Sequence, residues 1–190
     1  MLEEILIAGF GGQGVMSMGQ LLAYAGMYER KHVSWIPSYG PEMRGGTANC
    51  SVCISDKPIN SPTVSEPTTL IVLNRPSLVK FEQTLQAGGL LILNTSLIDC
   101  QPYRQDVRIV RIPANDLANE ELGNVKVANM ILLGAYLGLT QVVKLDSIVT
   151  ALKKVLPESR HRLIPLNQQA LEMGLQQISR EASGYCFQRR

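Results

Sequence analysis

The sequence predicts an α/β fold: a single three-layer domain, a mainly parallel sheet with helices on both faces, and a helical C-terminal third. Three observations predict it. Short Ile-, Leu- and Val-rich runs recur at 3–8, 69–73 and 90–93, as in strands buried on both faces. Segments with helical apolar spacing separate the early strands, and strand–helix alternation is the mark of a parallel sheet. Beyond residue 125 only helical stripes remain, at 125–139, 145–156 and 165–178.

Along the chain, residues 3–8 read as the first strand and Gly9 to Gly14 as a glycine-rich turn. Val15, Met18, Leu21, Leu22 and Ala25 then recur on one face of a helix over 15–28. A second strand is expected at 33–36, and a loop at 37–46 because it holds two prolines and three of the chain's glycines. A third strand spans 47–54. Three prolines within 58–67 indicate an extended crossing segment. The strand at 69–73 leads into a helix at 76–85 with Pro76 at its start, which Gly88-Gly89 stops. After the strand at 90–93, Arg108 and Arg111 alternate with apolar residues in a half-buried strand over 107–112. Residues 1–180 form the domain and 181–190 a tail.

Composition bounds the function. The chain has 190 residues, 45% of them apolar, enough for one sizeable core. Eighteen basic residues against sixteen acidic give a net charge of +2, too balanced for nucleic acid or an anionic membrane as partner. Only 18% of residues are charged, below the usual roughly 25%; partner subunits over part of the surface and a mildly polar free surface both fit. The first four residues lead straight into a strand, with no leader pattern and no apolar run long enough to span a bilayer, so a cytoplasmic protein is expected. Cys50 and Cys53 form a CxxC within a strand, where alternation sends them to opposite faces, and Cys100 and Cys186 are isolated. No metal site is expected. His32 and His161 stand alone and read as surface or packing residues.

Two loops carry the functional signal. Gly9-Phe10-Gly11-Gly12-Gln13-Gly14 holds GxGxxG between a strand and a helix, the placement of a dinucleotide fingerprint. Such a loop brings backbone N–H groups and the positive end of a helix to an anion. The second strand ends without the carboxylate that would hold a ribose, which argues against NAD. A tight βα turn without a ligand and a cradle for another anion both remain. The second loop, Ser38-Tyr39-Gly40-Pro41-Glu42-Met43-Arg44-Gly45-Gly46, offers Arg44 as a planar fork for carboxylate or phosphate, with Glu42 near enough to orient it. A local Glu42–Arg44 pair and an inter-subunit ligand site are both open.

Together these loops resemble the gamma subunit of 2-oxoacid:ferredoxin oxidoreductases. Pro58-Ile59, Asn129 with Gly134, and Asn167, Ala170 and Gly174 are similar too, so the resemblance covers roughly 3–178. The wording Tyr-Gly-Pro-Glu-Met-Arg-Gly-Gly looks like the 2-oxoglutarate and branched-chain (ketoisovalerate) types. One departure is Thr68-Thr69, where many relatives carry an aspartate just before the fourth strand. The resemblance implies a complex that decarboxylates a 2-oxoacid oxidatively, forms acyl-coenzyme A and reduces ferredoxin. It implies partner alpha, beta and possibly delta subunits, which hold thiamine diphosphate and iron–sulfur clusters, while this chain holds neither and is not catalytic alone. It implies a role in positioning coenzyme A for Gly11, Gly12, Gln13, Gly14, Tyr39, Glu42, Arg44, Gly45, Gly46 and Asn129. A purely structural assembly subunit and a stand-alone nucleotide-binding protein are the alternatives.

Overall fold

A computed structural model describes residues 1–39 and 46–182. It contains a six-stranded sheet of order β2-β3-β1-β4-β5-β6. The strands are β1 (Leu2–Phe10), β2 (His32–Tyr39), β3 (Thr47–Ser55), β4 (Thr69–Val72), β5 (Leu90–Asn94) and β6 (Arg108–Ile112). The helices are α1 (Val15–Tyr28), α2 (Arg75–Phe81), α3 (Ala114–Glu120), α4 (Ala128–Thr140), α5 (Leu145–Val155) and α6 (Ile164–Ala182). Strands β1, β4, β5 and β6 pair in parallel, while β3 runs antiparallel to both β1 and β2. The sheet is thus parallel but for one reversed strand. Only seven residues separate the end of β2 from the start of β3, fewer than the dozen or more that a parallel crossover needs.

Alternation along the strands builds two cores. Ile5, Ile7, Cys50, Val52, Ile54, Ile71, Ile92 and Val110 point to the face covered by α1, α3 and α4, with α5 leaning on α1 and α6 on α4. Leu6, Ala8, Leu70, Val72, Leu91 and Leu93 point to the other face, against Leu78 of α2 and Leu85. Helices therefore cover both faces, but unequally: α2 alone stands opposite the other five.

One local expectation is corrected, and two features that the sequence did not reveal accompany it. The loop expected from residue 37 begins later, since β2 runs on through Pro37 to Tyr39, with Pro37 opposite Cys50. Strand β2 lies at the sheet edge, where a residue without an N–H breaks no inner ladder. Helix α3 carried no visible signal because side chains from afar cap it: Asn94 Oδ1 accepts from Ala114 N at 3.2 Å and Ser96 Oγ from Asp116 N at 3.1 Å. Finally, Thr68 makes a full polar contact of its own. Its hydroxyl accepts from Glu4 N at 3.0 Å and lies 3.1 Å from Glu3 Oε2, pinning the start of β4 to β1.

The late glycines have a packing role. A Cβ on Gly134 would meet the Leu171 carbonyl, and one on Gly174 the Ile131 carbonyl. Helices α4 and α6 cross backbone to backbone at these two positions, with Ala170 fully buried beside them. His161 is also structural: its Nε2 lies 3.1 Å from Lys153 O and 3.0 Å from Leu156 O, so it donates to the last carbonyls of α5.

Candidate functional site

The glycine loop leaves the carboxyl end of β1 in the middle of the sheet, the edge at which ligands gather in open α/β sheets. Gly12 and Gly14 adopt left-handed backbone, φ 97° and 81°. Gly14 is doubly constrained, because a Cβ there would also run into the Asn129 carboxamide. The Gly11 amide donates to Gly46 O at 3.0 Å, and Gln13 N to Phe10 O at 3.1 Å. The first bond ties the two sequence motifs together: with Phe10 opposite Thr47, the glycine loop and the end of the second motif share one edge. Helix α1 then starts at Val15 with neither a side-chain cap nor an acidic residue in its first turn. Its first N–H groups have no acceptor within the helix.

A wire of carboxamides braces this loop, and four backbone groups fix its polarity. Phe10 N donates to Gln13 Oε1 at 2.7 Å, so the oxygen of Gln13 must face that amide. Asn74 Nδ2 donates to the same oxygen at 2.9 Å, while Asn74 Oδ1 caps α2 by accepting from Ser77 N at 3.0 Å. Asn94, only 1% exposed, accepts from Ala114 N and donates to Asn115 Oδ1 at 2.8 Å. Asn129 Nδ2 donates to Gly14 O at 3.3 Å from the first turn of α4. The loop is thus held from β4, β1 and α4 at once, and little freedom is left for it to lose on binding.

Gly12, Gln13, Asn94, Asn115, Lys126 and Asn129 line a cleft of about 200 Å³ between the loop and the lead-in to α4. Among the described residues its lining holds no carboxylate, and Lys126 is the one charged residue there. Amides, one lysine and a helix N-terminus suit a polar or anionic group. A larger groove of about 300 Å³, lined by Tyr24, Met27 and Trp35 among others, lies between α1 and β2 and contains no loop residue.

The expected site residues are therefore partly assembled. Gly12, Gln13 and Asn129 line the cleft, Gly11 and Gly14 shape its loop, and Gly46 closes on Gly11. Tyr39 lies at the mouth of the β2–β3 hairpin, 60% exposed, and is absent from the lining. Glu42, Arg44 and Gly45 lie outside the described residues. Asn74, Asn94, Asn115 and Lys126 escaped the sequence reading. A faint signal existed: the pair Leu-Asn occurs just after β4 as Leu73-Asn74 and at the end of the neighbouring β5 as Leu93-Asn94.

The two strand cysteines are buried on opposite faces of the sheet. Cys50 faces α1 and donates to Val15 O at 3.5 Å, whereas Cys53 faces Pro62 O on the other side. Burial pushes the Cys50 thiol up to about 12, so it stays protonated at neutral pH. Among the described residues no three His, Cys, Asp or Glu side chains gather as a metal site, and no helix is long and apolar enough to cross a membrane.

The sequence matches the family model of pyruvate ferredoxin/flavodoxin oxidoreductases over residues 4–177. It is 38% identical to the ketoisovalerate oxidoreductase subunit VorA of Methanothermobacter marburgensis over 90% of this chain, but spans only 35% of that protein's length. It is 35% identical to the 2-oxoglutarate synthase subunit KorC of Methanocaldococcus jannaschii, covering 83% of this chain and 86% of the relative. A solved gamma subunit of a keto/oxoacid ferredoxin oxidoreductase from Geobacter sulfurreducens superimposes with a TM-score of 0.79 at 30% identity, over 93% of this chain and 98% of that one. The 2-oxoglutarate:ferredoxin oxidoreductase of Magnetococcus marinus, solved with 2-oxoglutarate, coenzyme A and succinyl-CoA bound, shares the fold: TM-score 0.84 at 20% identity, over 94% of this chain and 31% of that one. The chain belongs to the pyruvate ferredoxin/flavodoxin oxidoreductase family and is of its gamma-subunit type.

Proposed function

We propose that this chain is the gamma subunit of a cytoplasmic 2-oxoacid:ferredoxin oxidoreductase acting on 2-oxoglutarate or a branched-chain 2-oxoacid. The assembled enzyme converts 2-oxoacid, coenzyme A and oxidised ferredoxin to acyl-coenzyme A, carbon dioxide and reduced ferredoxin. Alpha and beta subunits, with delta where present, hold thiamine diphosphate and iron–sulfur clusters, which supply the decarboxylation and electron-transfer chemistry. Among the described residues the donors do not suit a cluster, since Cys50 and Cys53 face opposite ways and no three metal-ligating side chains gather. Its part is to wall one side of the reaction site and position coenzyme A. The loop N–H groups and Lys126 face the co-substrate's oxygens, and Arg44 is the candidate ligand from the second motif.

The supporting observation is the Gly11–Gly46 hydrogen bond beside the amide-lined cleft, which brings Gly46, the last residue of the second motif, against the glycine loop. The test is co-purification of the chain with thiamine- and cluster-carrying subunits, followed by turnover with a panel of 2-oxoacids. In that complex Arg44→Ala lowers coenzyme A-dependent turnover and leaves assembly intact. Normal turnover with normal apparent affinity for coenzyme A removes Arg44 from the ligand site.

One observation favours a second reading, a structural assembly subunit without ligand contacts. The Gln13 carboxamide is engaged at both ends within the chain, its oxygen by Phe10 and Asn74 and its nitrogen by Leu73 O at 3.5 Å. On that reading Arg44→Ala dissociates the complex.

A further inference from the structure

Asn115 is turned toward the cleft by a chain of forced hydrogen bonds. Ala114 N–H fixes the oxygen of Asn94, which leaves Asn94 Nδ2 pointing at Asn115. The group of Asn115 that meets it must therefore be the oxygen, at 2.8 Å. Its two remaining donors, on Nδ2, bond to nothing among the described residues, and Asn115 is half-buried in the cleft lining. Asn129 is the converse: its Nδ2 is engaged by Gly14 O, and Oδ1 is left without a described donor. The cleft thus presents one oriented donor from Asn115 and one oriented acceptor from Asn129, with Lys126 beside them. Its volume of about 200 Å³ suits a fragment of a cofactor, since whole-ligand pockets run to about 300–1,000 Å³.

We infer that Asn115 is a specificity-determining residue of this subunit, donating from Nδ2 to an oxygen acceptor of the co-substrate. The inference rests on the proposed role in positioning coenzyme A and deepens it. The strongest oxygen acceptors of coenzyme A are the amide carbonyls of its pantetheine arm and its phosphates.

The test uses the assembled oxidoreductase with Asn115→Asp and Asn115→Ala. The aspartate keeps the acceptor that Asn94 needs and places a carboxylate in the first turn of α3, which helix electrostatics favour. It also replaces the outward donor with an anionic acceptor. KM for coenzyme A is expected to rise ~10-fold or more in Asn115→Asp and less in Asn115→Ala, with kcat at saturating coenzyme A falling far less than kcat/KM. Thermal midpoints are expected in the opposite order, Asp above Ala. A purely structural asparagine predicts that Asp outperforms Ala in both readouts. That result, or an unchanged KM in Asn115→Asp, overturns the inference while the coenzyme A-dependent complex stands. Calorimetry on the complex with pantetheine and with adenosine 3′,5′-bisphosphate identifies the source. A loss in Asn115→Asp confined to pantetheine assigns the amide carbonyl; one confined to the bisphosphate assigns phosphate; no loss with either overturns the inference. Should the wild-type complex turn over independently of coenzyme A, the functional reading and the inference fall together.

Discussion

Gly14→Ala probes the loop at its most constrained point. Two separable costs follow from the structure. Left-handed backbone at φ 81° costs a residue with a Cβ about 1–2 kcal/mol. The new methyl also meets the Asn129 carboxamide, so that the 3.3 Å bond to Gly14 O is lost and a buried amide displaced, at about 1–2 kcal/mol more. The sum is about 2–4 kcal/mol, or a fall in thermal midpoint of about 5–15 °C for a domain of this size. Gly12→Ala is the control: its φ is 97°, but a Cβ there meets nothing within 4 Å, so it carries the backbone cost alone. Thermal unfolding followed by circular dichroism is the assay, with Asn129→Ala closing a double-mutant cycle. In the Asn129→Ala background the cost of Gly14→Ala should shrink to that of Gly12→Ala. If Gly14→Ala costs no more than Gly12→Ala, or the cycle shows no coupling, the α4 brace on the loop does not exist.

Two further predictions follow from the packing and from the buried thiol. Gly134→Ala or Gly174→Ala should each cost at least about 1–3 kcal/mol in denaturant midpoint, because either methyl meets a carbonyl of the facing helix; a neutral outcome rejects the close α4–α6 crossing. The Cys50 thiol titrates from about 9 when free to about 12 when folded, so its contribution is intact below pH 9. It is lost as pH rises toward 12, at up to about 1.4 kcal/mol per pH unit. Cys50→Ala should flatten that alkaline slope, and an unchanged slope refutes the assignment.

Much of the frame was legible in the sequence because its signals are local. The run Ile5 to Ala8 and the stripe Val15, Met18, Leu21, Leu22, Ala25 follow from period and apolarity, and both elements form as read. The edge position of β2 was invisible, since only pairing explains why Pro37 is tolerated within a strand. The site divides the same way. Gly12 and Gly14 announce themselves because left-handed backbone selects glycine. Asn74, Asn94 and Asn115 do not, because each matters through a partner between 20 and 61 positions distant in the chain. Gly134 and Gly174 were noticed as a resemblance, and the structure supplies their physical reason: two backbones meeting where a side chain would not fit.

On the proposed function, the glycine loop and the cleft beside the start of α4 receive coenzyme A within an assembled oxidoreductase. Hydrogen–deuterium exchange on the purified complex, with and without saturating coenzyme A, tests it most directly. Slowed exchange is expected in peptides covering 11–17 and 125–130. Unchanged exchange in both, under conditions where coenzyme A supports turnover, contradicts it.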